Sequence, residues 1–366
     1  MKKIYIISAL SLLGLVPSVV SCSSDEDISG IPQSGSAREI RFATETDLTR
    51  AHKDITATNL ATFNVYAYTS ESDSLAPYMD NVVVTKSANN VWTYSPVKYW
   101  PANNSLDFYA FSPADWVGSN SPLRPVSYDA NPYSGGMKDI VYAVCSDIKG
   151  NLDRPNPQVM LNFRHALSKL TLKLSSNTPN VKVEISSVAL SNVKTKGNFL
   201  FPKETTSKDQ TAENTGKWTD QNDAIHYNLL WPQATDEFVT LTSTPTVLEA
   251  QGLGLGGDLY VIPQTLSWAN KGAGDDDYIM VVGSIFDAET GDKLWPSENT
   301  PEENLSGNSR GDGTMKFPLT TSSLSEWQPG YHYIYSLVIN VDDQMGAIQF
   351  GTPSVDSYVE VTTTYE

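Results

Sequence analysis

Apolar and polar positions alternate with a period of two in many short stretches of this chain. From Tyr331 to Val341, the residues Tyr331, Tyr333, Tyr335, Leu337, Ile339 and Val341 share one face, while His332, Ser336 and Asn340 take the other. Successive side chains of an extended strand point to opposite sides, so this pattern predicts a strand with one buried face. Lys169 to Leu174 alternates in the same way, with Leu170, Leu172 and Leu174 on one side. Phe63 to Tyr68 and Leu106 to Phe111 are short aromatic and β-branched runs that predict two further strands. Turn-forming clusters separate such runs, among them Asn103-Asn104, Ser134-Gly135-Gly136 and Gly272 to Asp277. No stretch carries a long, capped helical period free of Gly and Pro. The body of the chain reads as all-β, and many short strands at regular spacing favour β-sandwiches.

The N-terminus follows a different rule. Lys2 and Lys3 precede a largely apolar run, Ile4 to Val20, which ends at Val19-Val20-Ser21-Cys22. The run is short for a membrane-spanning helix and is followed by a cleavage-type sequence, so 1–21 is expected to be a secretory signal peptide. Cys22, directly after small and aliphatic residues, resembles the lipobox Cys of bacterial lipoproteins. The resemblance implies a thioether-linked diacylglycerol and an anchor in the cell outer membrane. The acidic run Asp25-Glu26-Asp27 resembles the sorting tag of surface-exposed lipoproteins, and Ser23 to Ser36 has the composition of a solvated tether.

Charge and cysteine content narrow the partners. The 366-residue chain carries 25 basic and 42 acidic residues, a net charge of −17. Such a surface repels phosphate backbones and anionic headgroups, which argues against nucleic acid and against direct docking on a membrane surface. Cys145 is the one Cys besides Cys22, so lipidation of Cys22 leaves no intramolecular disulfide, and stability must come from the core. The length suggests two domains, which we place at 51–167 and 168–366, after a 22–50 segment of tether and first strand.

Catalytic and ligand-binding patterns are weak. His52, His165, His226 and His332 show no short metal-ligand spacing, and Cys145 has no CxxC partner, so neither a metal nor a cofactor is expected. No G-x-S-x-G elbow occurs, and the chain is expected not to be an enzyme. The Gly-rich run Gly252 to Gly257 precedes an expected strand instead of opening a helix, which removes the phosphate-binding geometry. Asp275-Asp276-Asp277 lacks calcium-loop spacing and reads as a solvated hairpin tip. Arg310-Gly311-Asp312 lies in a polar loop and would engage integrins only if exposed.

Several segments, taken in order, carry a more specific resemblance. They are Glu39-Ile40-Arg41-Phe42 with Leu48-Thr49-Arg50-Ala51; Val97-Lys98-Tyr99-Trp100-Pro101 with Leu106 to Pro113; Val159 to Leu174, especially Phe163 to Leu170; Leu259 to Gln264; and Trp327 to Tyr331. Together they resemble the fimbrillins, subunits of type V pili in Bacteroidales. The resemblance implies two tandem transthyretin-like β-sandwich domains. It also implies a stalk subunit of a surface fimbrium, matured by a trypsin-like protease that cuts between Arg50 and Ala51. Arg38 and Arg41 are further candidate cut sites.

Cutting there would release a first strand, expected at Arg38 to Thr46 with Ile40 and Phe42 on one face. A strand from another subunit, of the same or a different kind, would replace it. The C-terminus has a donor's pattern: Val359, Val361, Thr363 and Tyr365 form one face of an alternating stretch. Ile348 and Phe350 would extend it. Two alternatives stay open: a tip or anchor subunit of the same fimbria, and a surface glycan-binding lipoprotein whose exposed Trp and Tyr stack on sugars. Either would meet a host or bacterial surface ligand.

Overall fold

The structure, a computed structural model, describes residues 38–44, 59–70, 76–118, 120–132, 137–150, 158–206, 210–230, 238–250, 258–341 and 348–350. All of them fall in one compact unit. No α-helix occurs among the described residues. The expected all-β class is what the chain adopts.

In chain order the first strands are β1 (Arg41–Thr44), β2 (Thr62–Thr69), β3 (Met79–Lys86), β4 (Trp92–Tyr94) and β5 (Leu106–Ser112). They are followed by β6 (Val126–Asp129), β7 (Val141–Ile148), β8 (Gln158–Leu161), β9 (Arg164–His165) and β10 (Ser168–Ser175). Next come β11 (Val181–Leu200), β12 (Lys217–Leu230), β13 (Val239–Thr240), β14 (Thr246–Val247), β15 (Glu249–Ala250) and β16 (Asp258–Val261). The last are β17 (Tyr278–Asp287), β18 (Lys293–Trp295), β19 (Gly313–Pro318), β20 (His332–Val341) and β21 (Ile348–Phe350).

A six-stranded antiparallel sheet, β4-β3-β2-β5-β7-β9, occupies the first half, and β1 pairs with β8 in a separate parallel ribbon. The second half holds an eight-stranded sheet around β11, β12 and β17, and a five-stranded sheet around β10 and β20.

The six-stranded sheet is buried on both faces. Phe63, Val65 and Ala67 of β2, Phe108 and Ala110 of β5, and Val141 and Ala143 of β7 line one core together with Ile40, Phe42, Val159 and Leu161. The intervening Tyr66, Tyr68, Phe111 and Tyr142 face the opposite way, into the core shared with β10, β11, β17 and β20. Tyr142 meets Phe199 edge-on at 4.9 Å, and Trp116 meets Phe199 at 5.0 Å. The first half also supplies β6, whose residues Val126–Asp129 pair with Lys196–Phe199 of β11.

The alternation of β20 is realised: Tyr333, Tyr335, Leu337 and Ile339 are buried, and the residues between them are half-buried. In β10 the polar face is buried as well. Lys169 pairs with Asp258 at 2.9 Å, and the Thr171 hydroxyl donates to the same carboxylate at 2.8 Å. The pairing allows these polar groups to sit inside a sheet, because a buried charge must be matched.

Candidate functional site

The first strand is short and two residues anchor it. Ile40 is 0% exposed and Phe42 4%, whereas Arg41, Ala43 and Thr44 are half-buried. A period of two brings Ile40 and Phe42 onto one face, and Arg41 turns outward, 3.7 Å from Glu39.

The segment Arg38 to Thr44 is paired on one side over Arg41–Thr44 and on the other over Arg38 to Ile40. On one side Phe42 lies opposite Val159 and Thr44 opposite Leu161 in the parallel ladder with β8. On the other side the Ile40 N–H donates to the Lys98 carbonyl at 2.9 Å, and the Trp100 N–H donates to the Arg38 carbonyl at 2.7 Å. The Tyr94 hydroxyl adds a bond to the Ile40 carbonyl at 2.7 Å. Burial pushes the Tyr94 phenol up to about 12, so it is a neutral donor at any ordinary pH.

Aromatic rings make the floor of the slot. Phe42 stands edge-on to Phe63 at 5.9 Å, to Phe108 at 5.9 Å and to Tyr94 at 5.6 Å. Edge-to-face contacts of this kind are favourable beyond the area they bury. Behind them Phe63 packs on Phe163 at 5.3 Å, and Trp100 packs on Phe108 at 5.8 Å. Trp100 comes so close to Gly150 that a Cβ there would lie 2.4 Å from its ring, so this turn requires Gly. Val97, Tyr99 and Met160 are exposed around the slot, at 41%, 47% and 46%. The arrangement is a groove built to take one extended strand, with pockets for side chains two residues apart.

Residues 49–356 match the fimbrillin-like family. The chain belongs to that family. Solved structures similar to it include fimbrial and putative cell adhesion proteins. Among solved structures, a fimbrial protein from Bacteroides vulgatus aligns at 15% identity and a TM-score of 0.49, covering 88% of this chain and 99% of that one. The tip fimbrial protein Mfa3 from Porphyromonas gingivalis, with a C-terminal truncation, aligns at 11% identity and a TM-score of 0.44, covering 88% and 100%. No curated protein matches the sequence.

Of the residues singled out from sequence, Cys22, Arg50, Ala51, His52, Gly252 to Gly257, Val359, Val361, Thr363 and Tyr365 lie outside the described residues. Arg41 lies inside β1, opposite Gln158. His165 places Nδ1 3.0 Å from the Asp139 carboxylate, and His332 meets the Thr171 hydroxyl through Nε2 at 2.8 Å. Both serve as structural hydrogen-bonding groups.

One reading is corrected. In Asp275-Asp276-Asp277 only Asp275 is exposed, whereas Asp276 is 0% exposed and Asp277 4%. The Asp276 carboxylate accepts from the N–H groups of Ala269, Asn270 and Gly272 at 2.8–2.9 Å, which uses up the oxygens a cation would need. Arg310-Gly311-Asp312 is likewise turned inward. Asp312 is 1% exposed and accepts from Ser284 at 2.6 Å, Ser186 at 2.7 Å and Asn308 at 2.8 Å. Arg310 bonds Glu184 at 2.8 Å and covers the Phe238 ring at 4.4 Å. The motif staples this loop to β11 and β17 and presents no free carboxylate.

Sequence reasoning missed β8 as one wall of the slot and Tyr94 as its clasp. Pairing partners distant in the chain leave no local pattern. The alternation of Gln158-Val159-Met160-Leu161 was the one available signal.

Proposed function

We propose that this chain is the precursor of a stalk subunit of a type V fimbria. It is exported by the 1–21 signal peptide, anchored in the outer membrane through lipid on Cys22, and released for assembly by cleavage between Arg50 and Ala51. Cleavage cuts β1 from the body, and a strand from the C-terminal segment of another subunit takes its place, stretch by stretch along the same two edges. The observation that carries this reading is the seating of β1, held by two buried side chains and by main-chain pairs on both sides. An emptied groove of this kind exposes unpaired backbone and core, which another chain's strand can cover.

We divide the body at 167/168 into two β-sandwich domains. The segregation of Ile40 to Phe163 around one core supports this division, although the first half lends Tyr66, Phe111 and Tyr142 to the other.

The test takes soluble precursor from Ser23, treats it briefly with an Arg-specific protease, sequences the new N-terminus and runs unboiled samples on a denaturing gel. A product beginning at Ala51 with an SDS-resistant ladder is expected. A protein that is cut after Arg50 yet stays monomeric would favour a tip or anchor subunit and remove the stalk.

A further inference from the structure

A cleft of about 480 Å³ lies between the segment that leads into β12 and the turn that leads into β20. The first segment lines it with Gln210, Thr211, Thr215 and Lys217, and the turn with Glu326, Gln328 and Tyr331. None of these residues belongs to the groove around β1. The volume falls within the range of ligand pockets, about 300–1,000 Å³.

Buried groups hold the main chain of both segments. Arg164 is 5% exposed, and one guanidinium nitrogen donates to the Asn214 carbonyl at 2.7 Å and to its side-chain oxygen at 2.8 Å. The same side-chain oxygen accepts the Thr211 N–H at 2.7 Å. The Gly216 N–H donates to the Tyr142 hydroxyl at 2.8 Å, and a Cβ at Gly216 would lie 2.1 Å from the Phe199 ring, so the chain runs directly against that ring. In the turn, Trp327 Nε1 donates to the Tyr335 hydroxyl at 2.9 Å and the Gln328 N–H to the Tyr333 hydroxyl at 2.8 Å. The Ser168 hydroxyl donates to the Gln328 carbonyl at 2.8 Å, and the Gly330 N–H to the Leu167 carbonyl at 2.8 Å. The side chains of Gln210, Thr211, Lys217, Glu326 and Gln328 are nevertheless exposed. A cleft whose walls are fixed beforehand loses little entropy when a ligand enters.

The lining decides the class of ligand. It mixes hydroxyls, two amides, one ammonium and one carboxylate, which together donate and accept hydrogen bonds. Lys217 and Glu326 balance each other, which favours neither a phosphate nor a metal ion, and the net charge of −17 disfavours anions further. An apolar ligand would need mostly apolar walls. Tyr331 is half-buried in the cleft, and its ring stacks beside Tyr333 at 6.2 Å. Such a ring gives a flat apolar patch among polar tips, which matches a sugar with a C–H face and a rim of hydroxyls.

We propose that this cleft binds a neutral oligosaccharide, with one sugar ring packed on Tyr331 and its hydroxyls bonded to Gln328, Glu326 and Lys217. The inference goes beyond assembly. Cleavage after Arg50 and release of β1 leave the lining residues in place, so the precursor and the cleaved protein bind the sugar alike.

The test titrates lactose, maltotriose, cellotriose and chitotriose separately into the uncleaved chain from Ser23, with binding followed by saturation-transfer NMR. At least one of these sugars is expected to bind at a single site. Tyr331→Ala and Gln328→Ala should each weaken that binding about tenfold or more, as loss of a central contact does. Tyr331→Phe keeps the ring and should bind like wild type. Asn222→Ala, in a different cleft between β6, β11 and β12, should also bind like wild type. Thermal unfolding of each variant shows that it folds, and the exposed Gln328 decides the matter if Tyr331→Ala does not. The proposal is overturned if none of the sugars binds, or if binding survives both Tyr331→Ala and Gln328→Ala. Sugar binding by a chain that is cut yet forms no ladder would remove the stalk reading alone.

Discussion

The Tyr94 hydroxyl donates to the Ile40 carbonyl across 2.7 Å, tying the end of the β3–β4 hairpin to the first strand. Ile40 and Phe42 are thereby clasped by one residue, because the Tyr94 ring also meets Phe42 at 5.6 Å.

Replacing Tyr94 by Phe should retain the ring contact and lose the bond, at about 0.5–1.5 kcal/mol of stability. The pH dependence has a definite sign. Burial raises the folded-state phenol to about 12, so its neutral form stabilises the fold fully below its unfolded value of 10.0. That contribution is lost as pH rises towards 12. Urea midpoints measured at increasing alkaline pH should fall less steeply for Tyr94→Phe than for wild type.

Phe42 and Arg41 are neighbours with opposite consequences. Phe42→Ala empties the aromatic pocket and should cost about 3–5 kcal/mol. Arg41→Ala touches a half-exposed ion pair and should stay within about 0.5 kcal/mol. Denaturant unfolding of the uncleaved protein separates the two, and similar losses for both would contradict the seating of β1.

Asp312→Ala should act on stability and leave cell adhesion untouched. Burial by itself would raise this carboxyl, but hydrogen bonds from Ser284, Ser186 and Asn308 and the Arg310 charge hold it below the usual carboxylate range. Its contribution is therefore present above the unfolded value and lost as pH falls. Removal leaves the Ser284 and Ser186 hydroxyls and the Asn308 amide without their acceptor and should cost about 1–3 kcal/mol. An Arg-Gly-Asp peptide should fail to compete with any adhesion the intact protein supports, and effective competition would refute the inward placement.

Asp277 should behave in the opposite way. Burial outweighs the Ser267 N–H bond and the Lys194 charge, raising its carboxyl from 3.8 to about 6. The fold favours the protonated form, so this stabilisation is present below 3.8 and is lost as pH rises through about 6. Asp277→Asn should therefore raise the urea midpoint at neutral pH, with the two proteins converging as pH falls towards 4. A gain that is independent of pH would point to another cause.

The class of fold and the faces of individual strands are legible in the local pattern of residues. Tyr333, Tyr335, Leu337 and Ile339 bury the side that their spacing marks, and Ile40 and Phe42 go in together, because the period of a strand is a local property. The ordered segments from Glu39 to Tyr331 also resembled the family to which the chain belongs. Tertiary structure decided which edges meet and which second faces are covered. Nothing near Phe42 announces Val159, and nothing near Val126 announces Phe199. Tyr66 and Tyr142 alternate with core residues just as solvent-facing residues would, yet a second core buries them. The aspartates show the limit most plainly. Composition reads Asp276 as solvated and leaves Asp312 open, and only folding brings the N–H and O–H groups that satisfy each buried carboxylate.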